Sequence, residues 1–539
     1  MQVAQLGINV FMIFGTWWWS RYYYVFLPFI TVTVALNCAM VVSLIFNKTR
    51  FTIRPEKKYL PQEPETLVLL MPCYNETLDE MTKSLDSLVA QQGIGHHKQT
   101  IMVLCDGKVR GPGMSKTSAD YLLEDILVHK DYRKKIRRAY RAWDQQMMDV
   151  VVQKGDYKGL PYFCVIKEQN QGKRDSLIVA RSFCYNYSRR HEKPTTIFTP
   201  TFFDHMAEYL SEAGIDKVDG LVGMDADTLF DKDCVAELLK EYHYKDTVGV
   251  CGYVAVDGKG NPWNLWRLYQ SAEYTIAQAL RRLHQSMVTN KVSCLPGCCQ
   301  LLKICEETCG DDVLIDRFGY CPNATDSLLK QIRATASEDR NHVCLMLSAR
   351  PNARTRQALR AKAFTDVPGN TAVFLSQRRR WTLGATSNDL YLVTAPGVQW
   401  FERILAGVNV MTWFLNPFIW ASIATFIYAA TRVPGWIIAC FVSVMAIPIV
   451  YYLCIPAWLH TRWKERVLFW VGCATYVFVG PFINISVLVY AVFYMDSFGW
   501  GKTRKVVSHD ADAIEDEKYD AVLIARRSNS LDEEAKVGL

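Results

Sequence analysis

Four short clusters in this sequence hold residue types that carry out group transfer. Asp106 stands within CDGKVRGPG, Asp225 and Asp227 lie in MDADT, Glu338, Asp339 and Arg340 belong to SEDR, and Gln377, Arg380 and Trp381 belong to QRRRW. Alternate residues on an extended chain face the same way, so Asp225 and Asp227 can share one divalent cation, with phosphate oxygens and water completing its shell. On a helix Gln377, Arg380 and Trp381 sit at i, i+3 and i+4 and share one face. Arg380 can fork onto a phosphate with two parallel hydrogen bonds, and the Trp381 indole can stack on a sugar ring. Arg378 and Arg379 then point elsewhere, to phosphate or to a lipid surface. The pattern asks for a diphosphate on one side and a sugar on the other. A basic juxtamembrane stop signal would explain QRRRW alone, but not the carboxylate sites that precede it.

Strands and helices must deliver these groups. TLVLLMP (66–72) reads as a buried strand that ends in MPCYNE, bringing Pro72, Tyr74 and Glu76, and 77–91 reads as an amphipathic helix. Further strands are expected at 100–105, 162–166 and 220–224, with helices at 173–186 and 231–241. NQGKRDS, with Lys173, opens the helix at 173–186, where backbone N–H groups can meet an anion. Strands alternating with helices imply a mostly parallel α/β sheet, with ligands at the C-terminal ends of the strands. Residues 115–160 interrupt the alternation with the basic stretch HKDYRKKIRRAYRAWDQQ, read as a helix that is solvated or rests on anionic lipid headgroups, not as a nucleic-acid site.

The chain has 539 residues, is 50% hydrophobic and carries a formal net charge of +7, and its apolar residues are gathered into runs. Tyr22 to Phe46 contains no charged residue, and later runs lie at about 404–429, 434–458 and 467–495; about 20 apolar residues span a bilayer core. Gly7 to Trp19 is short and suits a first span or an interfacial helix, and no cleavable signal pattern follows it. Basic residues after the first long run place the large middle region in the cytosol. The 17 cysteines have no regular spacing; CLPGCCQLLKICEETC lacks paired zinc knuckles, and a reduced domain is expected. HTRWKER (460–466) should also be cytosolic. A single crossing at 467–495 would then put the residues after it outside, while two crossings broken at Gly480-Pro481 would be only about 14 residues each, which is short.

Asp106, Asp225-x-Asp227, SEDR and Q-x-x-R-W, in that order between apolar runs, resemble the processive family 2 glycosyltransferases, and within them the chitin synthases. The stretches VLCDGKVRGPG, GKRDS, CLPGC, SEDR, QRRRW and WGKTR (Trp500 to Arg504) carry the likeness, which covers about residues 65–505. Hyaluronan synthases usually show G-D-D-R where this chain has Ser337 to Arg340, and WGTR without the extra lysine. The resemblance implies a GT-A-type α/β domain, a mostly parallel sheet flanked by helices, inserted between N-terminal and C-terminal transmembrane helices. It implies UDP-N-acetylglucosamine as donor, a growing chitin chain as acceptor and Mg²⁺ or Mn²⁺ as cofactor. Carried over residue by residue, Pro72, Tyr74, Glu76 and Asp106 lie on the uridine side of the donor, with Lys173 near the nucleotide. Asp225, Gln377 and Arg380 hold the diphosphate, and Asp225 with Asp227 places the metal. Asp339 is the general base on the acceptor 4-hydroxyl, with Glu338 and Arg340 beside it in the catalytic motif. Trp381 holds the terminal acceptor sugar, with Cys294 and Gly297 of a tight loop nearby.

The division expected is a membrane region at 1–47, a cytosolic transferase domain at 48–390, interfacial and transmembrane helices forming a polymer channel at 391–498, the WGKTR segment at 499–507 and an acidic, disordered tail at 508–539. Asn409, Asn416-Pro417 and Asn484 interrupt the apolar runs and either line that channel or join helices. The protein is expected in the plasma membrane among lipid, with a homo-oligomer left open. A hyaluronan or other β-glycan synthase would differ only in donor and acceptor choice. An inactive transporter or scaffold would have lost its carboxylates, whereas Asp225, Asp227 and Asp339 are all present.

Overall fold

Short β-branched and aliphatic runs form the middle of a ten-stranded sheet in the computed structural model, which describes residues 2–18, 27–258, 260–323, 325–429 and 434–496. The strands are β1 (Thr66–Cys73), β2 (Lys98–Cys105), β3 (Lys130–Arg141), β4 (Met147–Tyr157), β5 (Leu160–Lys167), β6 (Gly220–Gly223), β7 (Thr228–Phe230), β8 (Thr247–Val256), β9 (Gln300–Lys303) and β10 (Arg354–Thr365), in the spatial order β3-β4-β5-β2-β1-β6-β9-β8-β10-β7. β5, β2, β1 and β6 run parallel, as do β8 and β10. The C-terminal ends of β5, β2, β1 and β6 therefore open on one edge, where the polar clusters sit.

Because side chains alternate along a strand, β1 feeds two cores. Leu67, Leu69 and Met71 pack with Met81, Leu85 and Leu88 of α3 (Leu78–Val89), once α1 (Gln2–Trp18) and α2 (Leu27–Ile53) are counted. Val68 and Leu70 pack on the other face with Leu177, Ile178 and Phe183 of α4 (Gly172–Ser188). α3 starts where expected because Thr77 and Glu80 form a reciprocal capping box. α5 (Cys234–Tyr242) covers the same face as α3. All 17 cysteines are unpaired.

The basic run at 130–141 is a strand, not a helix. It pairs antiparallel with β4, and Ile136, Ala139 and Tyr140 turn inward while the lysines and arginines face out. Arg138 takes a positive φ of 49° at the bulge between Ile136 and Tyr140. Lysine and arginine on an edge strand also keep it from pairing with another chain. This strand also lies far from the contact between the sheet and the apolar helices. β8 packs through Tyr253 on Ile455 and Leu459 of a long apolar helix, and β3 lies seven strands away, about 34 Å at 4.8 Å per strand.

After β8 come α6 (Leu265–Ile276), then α7 (Glu338–Ala349) and α8 (Thr371–Thr394), and then four apolar helices: α9 (Trp400–Phe414), α10 (Asn416–Ala429), α11 (Gly435–Leu459) and α12 (Trp463–Phe493). Among the described residues, Thr31–Ile53, α11 and α12 are each long and apolar enough to cross a membrane. α9 and α10 meet at 78° and together make a fourth candidate. Breaking a helix exposes main-chain groups that lipid cannot satisfy. Asn9 of α1 meets that need: its Nδ2 donates to Phe414 O at 2.9 Å, and its Oδ1 accepts from Phe418 N–H at 3.2 Å.

α12 is continuous through Gly480-Pro481, so the two-crossing reading of 467–495 does not hold. Along its length it lies against the sheet-bearing unit. Phe469 and Cys473 pack with Tyr253 and Ile276, Ile483 and Val487 with Tyr269 and Phe374, and Leu488 and Val492 with Ile332 and Leu383. Asn484 is exposed on it. WGKTR, the acidic tail and Trp19 to Tyr24 lie outside the described residues.

Candidate active site

The open edge of the sheet forms one wall of a cleft of about 2150 Å³. Pro72 near the end of β1, with Tyr74 and Glu76 just beyond it, sits on this wall, and Glu76 Oε2 accepts from Tyr74 N–H at 2.7 Å. Asp106, just beyond β2, is buried and held from two sides. Its Oδ1 lies 2.6 Å from Lys167 Nζ and accepts from Gln171 N–H at 2.9 Å. Lys167 ends β5, is almost fully buried and also meets Asp175 at 3.0 Å. Burial opposes its charge, but Asp106 and Asp175 outweigh burial and raise the ammonium above its usual value. The orientation of Asp106 is thus set by the fold before any ligand arrives.

Across the cleft, Lys173 at the start of α4 bridges two carboxylate groups, 2.6 Å from Asp225 Oδ1 and 3.7 Å from Glu338 Oε1. Asp339, on the first turn of α7, accepts from Gly297 N–H through Oδ2 at 2.8 Å, while its Oδ1 has no hydrogen-bond partner among the described residues. Burial, with Glu338 and Asp225 nearby, pushes Asp339 up to about 6 despite the opposing pull of Lys173. That value suits a general base working near neutrality. Burial alone would raise Glu338 as well, but Lys173 brings it below the usual carboxylate range. Arg340 pairs with Asp389 of α8. Cys294 lines the cleft beside this group, and Gly297 stands behind it as a buried donor.

Gln377, Arg380 and Trp381 sit on α8 and all line the cleft, as their helical spacing implies. Trp381 is 43% exposed, so its ring remains open to a partner. Arg378 and Arg379 are both engaged by other parts of the protein, and Arg379 also lines the cleft. Arg378 is buried, 2.5 Å from Glu273 Oε2, with its guanidinium 4.6 Å from the Phe374 ring and 4.3 Å from the Trp381 ring. Arg379 donates to Tyr494 O at 3.2 Å. One cationic side chain thus braces the aromatic platform, and the other ties α8 to the end of α12.

Asp225 and Asp227 sit in the turn between β6 and β7, not on an extended strand. Ala226 between them is 1% exposed, while both aspartates line the cleft. Two hard oxygen donors facing a space that can admit phosphate fit Mg²⁺ or Mn²⁺. No cluster of three or more metal-ligating side chains occurs among the described residues.

Every cleft residue expected from the sequence therefore lines one cavity, and Gly297 is one hydrogen bond behind it. The sequence reading missed Lys167, Glu273 and Asp389. Only Lys167 left a signal, as a lysine ending an apolar strand.

Residues 131–533 match the family described as chitin synthase. The chain is 43% identical over 521 residues to chitin synthase 8 of Gibberella zeae, covering 95% of this chain and 78% of the relative. It is 40% identical over 454 residues to chitin synthase 8 of Verticillium dahliae, covering 79% and 74%. Among solved structures, a mannosyltransferase from Pyrobaculum calidifontis in complex with GDP-Man and Mn²⁺ is 12% identical, with 88% of this chain and 99% of that one covered and a TM-score of 0.40.

Proposed function

The chain belongs to the chitin synthase family, and we propose that it polymerises N-acetylglucosamine from UDP-N-acetylglucosamine into β-1,4-linked chitin, moving the product through its membrane helices as it grows. The observation that carries this reading is Asp339: a carboxylate in the cleft, held by Gly297 N–H at 2.8 Å and pushed up to about 6 by burial.

In the proposed reaction the acceptor 4-hydroxyl oxygen attacks the anomeric carbon from the face opposite UDP. The new C–O bond forms as the bond from carbon to phosphate oxygen breaks, and Asp339 takes the hydroxyl proton. An α-linked donor thereby gives a β-linkage. Asp106 and the 72–76 segment hold the nucleoside, Lys173 and Arg380 face the charge that develops on UDP, and Trp381 stacks the acceptor sugar. Asp225 and Asp227 would hold a divalent cation, which when bound would supply charge neutralisation on the diphosphate. Replacing Asp339 by Asn removes the base, which typically contributes about 10²–10⁴-fold, and leaves UDP binding intact. The plasma membrane, with the cleft on the cytosolic side, is the setting that supplies a nucleotide sugar and receives a polymer.

The test is purified protein in detergent with UDP-N-acetylglucosamine and Mg²⁺ or Mn²⁺. Chitinase-sensitive polymer from that single donor supports the reading. Turnover that requires UDP-glucuronate as well would replace it with hyaluronan synthesis.

A further inference from the structure

Two helices carry the chemistry, and they dock through three contacts in register. α7 brings Asp339 and α8 brings Gln377, Arg380 and Trp381. At the first contact the backbones nearly touch: a Cβ on Gly384 would lie 2.4 Å from the Ser337 Cβ. One turn on, Asn341 Nδ2 donates to Asn388 Oδ1 at 3.1 Å, and Asn388, fully buried, donates to Gly384 O at 2.8 Å. The third contact is the pair of Arg340 with Asp389.

Asp389 is buried, and its second carboxylate oxygen is also engaged. Arg281, in the irregular helical turns after α6, lies 3.5 Å from Asp389 Oδ2, and Asn409 of α9 donates to the same oxygen at 3.2 Å. One anion thus collects donors from three elements, and one of those is the first limb of the bent apolar pair. A buried carboxylate is retained in such a place only when charge and hydrogen bonds compensate for lost water. Removing it would leave Arg340 largely buried, and Arg281 partly so, without this counter-charge.

We propose that Asp389 is a positioning residue: acting through Arg340, it sets Asp339 against the α8 face that receives the acceptor, and through Asn409 it makes that setting depend on α9. This rests on Asp339 being the base. The consequence is that base placement and the membrane helices share one joint. A base displaced by 1 Å costs transfer about 10²-fold, but donor hydrolysis by water does not need an aligned sugar hydroxyl.

The informative quantity is therefore the ratio of UDP released to N-acetylglucosamine incorporated, which does not change when a fraction of the protein is merely unfolded. Asp389→Asn keeps the shape and Asp389→Ala removes it. Both should lower polymer synthesis and raise the ratio several-fold while KM for UDP-N-acetylglucosamine stays unchanged. Asn409→Ala, which loosens only the link to α9, should raise the ratio by a smaller factor. If the wild type makes no polymer, the underlying reading of the reaction fails. If the wild type polymerises and both Asp389 variants keep its ratio, the positioning role is overturned. A raised ratio in the Asp389 variants with a wild-type ratio in Asn409→Ala would overturn the dependence on α9.

Discussion

Gly297 donates its main-chain N–H to Asp339 Oδ2 at 2.8 Å, and there is no space for a larger residue at that point. A Cβ at Gly297 would lie 2.7 Å from Lys173 Nζ and 2.9 Å from Asp339 Oδ1. The lysine end can swing aside, but the carboxylate is the group that must stay. Gly297→Ala should therefore lower kcat by about 10²-fold through misplacement of the base, with UDP affinity unchanged. Steady-state kinetics beside a fluorescent-UDP titration checks this, and wild-type kcat in the variant would refute the placement.

The pH profile follows from the same carboxylate. Asp339 is pushed up to about 6 by burial first, and then by Glu338 and Asp225, against the pull of Lys173. A base works deprotonated, so kcat should rise with pH through about 6. Lys173→Met removes a lowering influence, and the acid limb should move to higher pH. Glu338→Gln removes a raising one, and the limb should move lower. A limb that stays fixed in both variants would assign it to another group.

Arg378 lies between Phe374 and Trp381 and pairs with Glu273, whose side chain is 25% exposed. Arg378→Ala should destabilise the protein by about 3 kcal/mol, since breaking a largely buried pair leaves its partner charged and alone. Arg378→Lys keeps the charge but loses the flat stacking surface, and should fall between the two. Thermal unfolding in detergent reads this order, and equal midpoints for all three proteins would rule out the bracing role.

Asn9 serves two main-chain groups at the bend between α9 and α10. Asn9→Leu removes one hydrogen bond from each, at a cost of about 0.5–1.5 kcal/mol apiece. The unfolding midpoint should drop while UDP binding in the distant cleft persists. Loss of both together would mean that the bend and the cleft form one cooperative unit.

The sequence revealed the strands that are apolar throughout, and with them the edge on which the cleft opens. It was least informative where charge hid a two-residue alternation: in 130–141 the inward Ile136 and Tyr140 are outnumbered by lysines and arginines that suit a helix equally well. Helical spacing correctly put Gln377, Arg380 and Trp381 on the cleft. It could not show what Arg378 meets, because Glu273 is 105 residues away. Lys167 with Asp106 and Asp389 with Arg340 were hidden for the same reason: each pair is brought together by the fold alone.

α12 has the composition of a membrane anchor, yet Phe469 near its start and Val492 near its end both rest on the sheet-bearing unit. A rod that touches one body near both ends is fixed in direction against it. Tyr490 and Tyr494 line the cleft, so the described region ends at Asp496 beside it. By position, α12 is a strut of the cleft wall.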